Sequence, residues 1–269
     1  MAKTLELLIC TINEGIQRVP SMLLPVREDV KYLVSWQQTG TVRVELPAAL
    51  TERGDVKVFQ LEGRGLAANR NNALRNATGD ILLLADDDAT YRTEYFDRVL
   101  HNFDKYPLAD FICFRAVDRE GQLLKEYPAE PYRYAERPKS TYISSIEIAF
   151  RRKPSLPFFD ERFGLGSKYL ACGEEEVFLH TAYKQGLKII FVPETIVETD
   201  PNTTGKRFLT FAATRRAKGA VLCYLYGAAS ASLRATKYVM AYPGLTLAQR
   251  MHFLRDMAAG IRFIQTGHI

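Results

Sequence analysis

Three consecutive carboxylates, Asp86-Asp87-Asp88, close the apolar run Ile81-Leu82-Leu83-Leu84-Ala85, which itself follows Thr78-Gly79-Asp80. A run of that length between a glycine and a set of acids predicts a strand buried on both faces. Three adjacent acids at a strand end repel one another unless positive charge sits among them. A hard divalent cation with oxygen ligands, manganese or magnesium, meets that need and commonly arrives with a diphosphate. In an extended segment Asp86 and Asp88 point to the same side, so these two are the candidates to share one metal or its waters. The competing reading is a solvated acidic turn that caps the next helix.

A second stretch, Gly63-Arg64-Gly65-Leu66-Ala67-Ala68-Asn69-Arg70-Asn71-Asn72-Ala73, opens a helix with glycines and carries Arg70-Asn71 early in it. A glycine-led helix start offers backbone N–H groups to an anion, and an arginine there adds a forked donor for phosphate oxygens. A plain helix with a polar face fits the same residues. The glycine spacing is neither that of a dinucleotide-binding turn nor that of a Walker loop. A third stretch joins Phe163-Gly164 to Gly173-Glu174-Glu175-Glu176. Acids in a first helical turn are favoured by the helix dipole, and one of them, Glu175, is placed to act as a general base if it faces a metal site.

The elements that must position these groups follow in order. Strands are expected at 5–10, 30–34, 56–61, 81–85, 110–117, 145–150 and 187–192, the last ended by Pro193. Helices are expected near 19–24, 66–76, 93–105 and 174–185. Strand, connection, strand, helix, strand in this rhythm argues for an α/β fold with a mainly parallel sheet flanked by helices. In such folds ligands bind at the carboxyl ends of the strands. The proline-rich segment 127–142 reads as an irregular loop, on the acceptor side or simply at the surface.

At 269 residues and 47% hydrophobic content the chain can bury a sizeable core. Cys10, Cys113, Cys172 and Cys223 are widely spaced and read as thiols in a reducing compartment, not as disulfides or a zinc site. The first residues run straight into a strand, so no signal peptide is expected, and the longest uncharged run near the C-terminus, 219–233, is too short to span a bilayer. Charge is lopsided. Residues 201–269 hold ten basic side chains, Lys206 and Arg207 among them, against one acid, Asp256, while residues 1–200 hold 26 basic and 30 acidic ones. A catalytic domain over 1–200 and a basic helical extension over 201–269 are therefore expected, the latter facing an anionic partner or capping the acceptor site. An anionic membrane surface is one such partner, through an amphipathic platform. Nucleic acid is not expected, because no matching module is present.

The order Thr11-Ile12-Asn13-Glu14, Gly65 with Arg70-Asn71, Asp86-Asp87-Asp88 and Phe163-Gly164 with Gly173-Glu174-Glu175 resembles the family 2 glycosyltransferases of GT-A fold over residues 5–200. The resemblance implies an inverting, metal-dependent transferase of bacterial surface-polysaccharide type. It would move a hexosyl or N-acetylhexosaminyl group from a nucleotide sugar, UDP-linked by preference, to a saccharide or lipid-linked acceptor. It assigns metal and donor to Asp86 and Asp88, donor to Asp87, the nucleoside to Thr11, Asn13 and Glu14, and proton removal to Glu175 within the pair Glu174-Glu175. Gly65, Arg70 and Asn71 fall on the donor side.

Three departures stand out. The second strand ends in Ser35-Trp36-Gln37-Gln38 where the family has an acid, which leaves Gln37 to bond a base edge and Trp36 to stack. The acid pair is Glu-Glu, not Glu-Asp. No histidine follows the last strand, and Glu198 or Asp200 stands near its place. The resemblance also implies a cytoplasmic protein, peripheral at the inner membrane face, monomeric or weakly oligomeric. Two rivals stay open: a sugar-nucleotide pyrophosphorylase, and a non-catalytic nucleotide- or carbohydrate-binding protein on the same scaffold.

Overall fold

The computed structural model describes residues 3–40, 44–139, 141–200 and 208–267. The expected Lys206 and Arg207 of the basic tail lie outside the described residues. Two compact units are present. The first comprises Met1–Arg64, Ala68–Phe158 and Thr181–Pro201, and the second Gly65–Ala67, Phe159–His180 and Asn202–Ile269.

The first unit is built on an eight-stranded sheet. Its strands are β1 (Leu5–Ile12), β2 (Val30–Gln38), β3 (Val56–Glu62), β4 (Ile81–Asp86), β5 (Phe111–Val117), β6 (Tyr132–Arg133), β7 (Ile148–Arg151) and β8 (Ile189–Glu198). Their spatial order is β3-β2-β1-β4-β7-β5-β8-β6. β3, β2, β1 and β4 run parallel, β7 is antiparallel to both β4 and β5, β5 and β8 are again parallel, and the short β6 closes the far edge antiparallel. The mainly parallel sheet is as expected. Leu5 and Leu7 to Ile9 of β1 and Ile81 to Leu84 of β4 are essentially inaccessible, which is why β4 reads as an unbroken apolar run and β1 as one interrupted at Glu6.

Helices α1 (Ala48–Thr51), α2 (Leu66–Asn76) and α3 (Thr93–Lys105) follow in the chain. Helix α3 buries Tyr95, Phe96, Val99 and Phe103, the spacing of one helical face, in the same core as β1 and β4. Four expectations are corrected. β2 does not stop at Val34 but reaches Gln38, because Ile12 of β1 and Glu62 of β3 supply partners that far. Residues 145–147 form a 3-10 turn, not a strand, and residues 19–24 hold only a 3-10 turn at Val19–Met22. β8 runs through Pro193 instead of ending there. Its register against β5 jumps between the Cys113–Phe191 and Arg115–Thr195 pairs, and a bulge of that kind accommodates a residue with no N–H.

Helix α4 (Glu174–Lys184) begins in the second unit and ends in the first. The second unit continues with α5 (Ala212–Tyr226), α6 (Ala228–Ala241) and α7 (Leu247–Thr266). Pro243-Gly244 breaks the tail as expected, and a further break stands at Gly227, with φ 75°. Thr246 and Gln249 cap α7 reciprocally, and Gly267 ends it in the left-handed region. The backbones of α5 and α7 meet at two glycines: a Cβ on Gly219 would strike the Met257 carbonyl, and one on Gly260 the Arg216 carbonyl. Phe163, Leu170 and Val177 share a core with Ala217, Ala220, Val221 and Phe263, so the basic tail packs with the segment that carries the glutamates. Buried Arg215 is paired with Asp256 at 2.6 Å and lies 4.3 Å from the Phe253 ring. All four cysteines are free thiols, three buried and Cys172 partly so.

Candidate active site

The carboxylates sit where β4 runs out of partners. Asp86, its last residue, pairs in register with Cys10 of β1, so the acids lie beside Thr11 at the carboxyl end of the parallel strands. Each acid has a different environment. The Asp86 carboxylate is 3.2 Å from the Arg70 guanidinium and keeps 40% of its side chain exposed. Asp87 is nearly buried: one oxygen accepts from the Thr11 hydroxyl, and the other is 2.6 Å from Arg18. Asp88 has its carboxyl pushed up by burial first, then by the charges of Asp86 and Asp87. That last acid registers the repulsion expected of the triad. The nearby Cys10 thiol is pushed up to about 12, chiefly by burial, and is no nucleophile.

Helix α2 ties three strand ends together. Asn69 donates to the Thr11 carbonyl at 2.9 Å, Asn72 to the Ser35 hydroxyl at 2.8 Å, and Arg70 to Asp86 and, at 2.8 Å, to the Ser145 hydroxyl. Arg70 and Asn71 are each 2% exposed. The polar run that predicts a phosphate site is thus folded inward, with Arg70, expected to meet phosphate oxygens, lying against Asp86. Asn13 takes φ 48°, its side chain spans both the N–H and the hydroxyl of Thr39, and its carbonyl accepts from the Trp36 indole at 3.0 Å. Trp36, expected to stack on a base, is instead buried in that bond, and Gln37 is buried beside it. Glu14 is exposed.

In the second unit Gly65 takes φ 140°, and the next residue donates its N–H to the Leu165 carbonyl. The acid pair opens α4 behind Gly173, whose φ is 93°. Glu174 is buried, and its carboxylate lies 3.1 Å from where a Cβ on Gly164 would stand, so a side chain there would crowd it as well as strain a φ of 100°. Glu175 is partly exposed. Burial, then Glu175 and Glu174, push the Cys172 thiol up to about 12.

Residues 39–171 match the family model described as glycosyl transferase family 2. Over that stretch, just under half of the chain, the sequence is similar to glycosyl transferase family 2. Among solved structures it is similar to S. aureus TarS 1-349, at 13% identity and TM-score 0.59, covering 98% of this chain and 92% of that one. The same fragment in complex with UDP-GlcNAc aligns at 14% identity and TM-score 0.57 over the same shares. Against a longer TarS structure, at 17% identity and TM-score 0.59, the chain covers 49% of the other protein. These likenesses show the GT-A-like α/β fold. A comparison with curated proteins found no match.

The oxygen donors of Asp86 and Asp88 suit a hard divalent cation. Among the described residues no group of three or more His, Cys, Asp or Glu side chains is arranged to hold a metal ion. Two carboxylates with diphosphate and water completing the shell is a pattern that magnesium accepts. Among the described residues the buried Tyr91 hydroxyl has no hydrogen-bond partner, and burial, then the charges of Asp86 and Asp88, raise it well above the usual tyrosine range. Glu198 does not stand ready as a third ligand: its carboxylate accepts from the Tyr95 hydroxyl at 2.6 Å and pairs with Arg92 at 2.6 Å. Asp200 pairs with Arg119. Sequence reasoning missed Arg18, Tyr91 and Ser145. For Arg18 the available signal was its place, one turn beyond the Thr11-Ile12-Asn13-Glu14 loop.

Proposed function

We propose that the protein transfers a hexosyl or N-acetylhexosaminyl group, with inversion, from a nucleoside-diphosphate sugar to a saccharide or lipid-linked acceptor in polysaccharide biosynthesis. The observation that carries this reading is the carboxylate triad at the end of β4, within the stretch that matches the family 2 model. A UDP-linked donor is favoured because a neighbour of like fold is described in complex with UDP-GlcNAc. When bound, manganese or magnesium at Asp86 and Asp88 would offset charge on the departing diphosphate. Thr11 and Arg18 hold Asp87, and Arg70 with Ser145 orients Asp86, so the donor end is set before substrate arrives. Glu175 takes the acceptor proton, and the acceptor oxygen attacks the anomeric carbon from the face opposite the leaving group. Glu174, fixed against Gly164, positions the start of α4. Asn13 and Glu14 complete the proposed donor side, with Gln37 and Asn71, each 2% exposed, supporting it from within.

Thermal-shift titration with UDP, GDP, CMP and their sugars, with and without manganese, tests the donor site, since a ligand bound only by the native state raises Tm with occupancy. A manganese-dependent shift with one base supports the reading and names the nucleotide. Absence of any shift overturns it in favour of the non-catalytic rival.

The second unit is further proposed to meet an anionic membrane surface. No helix among the described residues is long and apolar enough to cross a membrane. Leu233 and Met240 on α6 and Leu247 and Met251 on α7 are exposed, on helices that also carry Arg234, Lys237, Arg255 and Arg262. Flotation with anionic vesicles at low salt is the check, and failure to co-float removes the membrane role.

A further inference from the structure

The side chain of Arg18 stands between two 3-10 turns, Asn13–Gln17 and Val19–Met22, at the carboxyl end of β1. Its backbone N–H donates to the Gly15 carbonyl at 3.0 Å, closing the first turn. One terminal nitrogen, Nη2, is 2.6 Å from Asp87, whose side chain is only 12% exposed, while 58% of the arginine side chain remains open. A guanidinium carries five N–H donors, and among the described residues Nε and Nη1 meet no protein acceptor. The approach is built in by Gly15. A Cβ there would collide with the Asp87 carboxylate and the Thr11 hydroxyl, and would come within 3.2 Å of Arg18 Nη2. Arg70 and Arg18 therefore differ in kind. Arg70 is buried and spent on Asp86 and Ser145, whereas Arg18 is anchored at one corner and open at the others.

We propose that Arg18 is a donor-binding residue that gives its free N–H groups to the diphosphate of the nucleotide sugar, with Asp87 serving as its anchor. Forked charge-assisted bonds suit phosphate oxygens, and they strengthen as negative charge gathers on the leaving diphosphate. This inference rests on the donor-site reading above. Asp87 thereby becomes a positioning residue, acting on the donor through Arg18.

Calorimetric titration of the full-length protein with uridine, UMP and UDP, and with guanosine, GMP and GDP, tests it, in chelator and in manganese. Arg18→Ala is expected to weaken the diphosphate more than tenfold and leave the nucleoside within twofold. Arg18→Lys, keeping charge without the fork, should recover part of the loss. Equal loss for nucleoside and diphosphate would mark Arg18 as a loop support only, and diphosphate binding within twofold of wild type would remove it from the site; either result overturns the proposal. Failure of the wild-type protein to bind any of the six would instead overturn the donor-site reading on which the proposal stands.

Discussion

At the scale of single residues, the acids of this site are distinguished by what already holds them. Asp88 has its carboxyl pushed up by burial and then by the charges of Asp86 and Asp87, so Asp88→Asn is expected to abolish turnover while Tm at pH 7 holds or rises. A fall in Tm would mean that the carboxylate has a structural partner. Glu175→Gln is expected to cost about 10²–10⁴-fold in turnover with the fold intact, the range for loss of general base catalysis. Near-normal turnover in either variant would remove that residue from the mechanism. Glu198 behaves oppositely to Asp88. Burial pushes its carboxyl up, but the Tyr95 hydroxyl and Arg92 outweigh that and hold it below its ordinary value of 4.5. A carboxyl depressed in the folded state binds fewer protons than when unfolded, so its contribution is present near neutral pH and lost as pH falls through the depressed value. Glu198→Gln should therefore lower Tm at pH 7, with a deficit that narrows toward pH 4. A deficit independent of pH would show that the charged form is not what Tyr95 and Arg92 stabilise.

At the scale of elements, α2 and the α5–α7 crossing carry the arrangement. Helix α2 satisfies groups on β1, β2 and β4 with Asn69, Asn72 and Arg70, which fixes the strand ends that the ligand would meet. The α5–α7 crossing depends on Gly219 and Gly260, where backbones replace side chains in the contact. Adding a methyl at either must part the helices, and overpacking of this kind costs about 1–3 kcal/mol. Gly219→Ala or Gly260→Ala is expected to lower Tm by roughly 2–4 °C for each kcal/mol lost, while Gly54→Ala, where nothing stands near and φ is not positive, serves as the control. Unchanged melting in both crossing variants would show that the helices can separate without loss. The glycines were visible in the sequence, but their pairing was not, because the residues lie 41 positions apart and neither helix alone shows a need for them.

At the scale of the whole chain, the second unit is assembled from separate segments. Phe163, Leu170 and Val177 are buried with residues of α5 and α7, so the stretch bearing Glu174 and Glu175 shares its core with the tail. A fragment ending at residue 200 would expose that core, and burial of one large apolar side chain is worth about 1.5–3 kcal/mol. Such a fragment is expected to be poorly soluble and to lose the cooperative near-ultraviolet transition of the full chain. A well-folded 1–200 fragment would show instead that the catalytic domain proposed from composition ends there.

The sequence by itself determined the strands and the acids. Apolar runs such as Ile81–Ala85 can only be buried, and three acids after one can only lie at its end, so the parallel sheet and the site of Asp86, Asp87 and Asp88 were legible in one dimension. Helices α3 and α4 were equally plain from their periodic apolar faces and flanking signals. What only the tertiary structure decided is who neutralises whom. Arg70 turned inward because Asp86 and Ser145 offered a buried guanidinium its bonds, Trp36 was spent on the Asn13 carbonyl, and Arg18 reached Asp87 across 69 residues because Gly15 left room. Such pairings depend on distances between strand ends, which no spacing along the chain records, whereas burial of an apolar run is a property of the run itself.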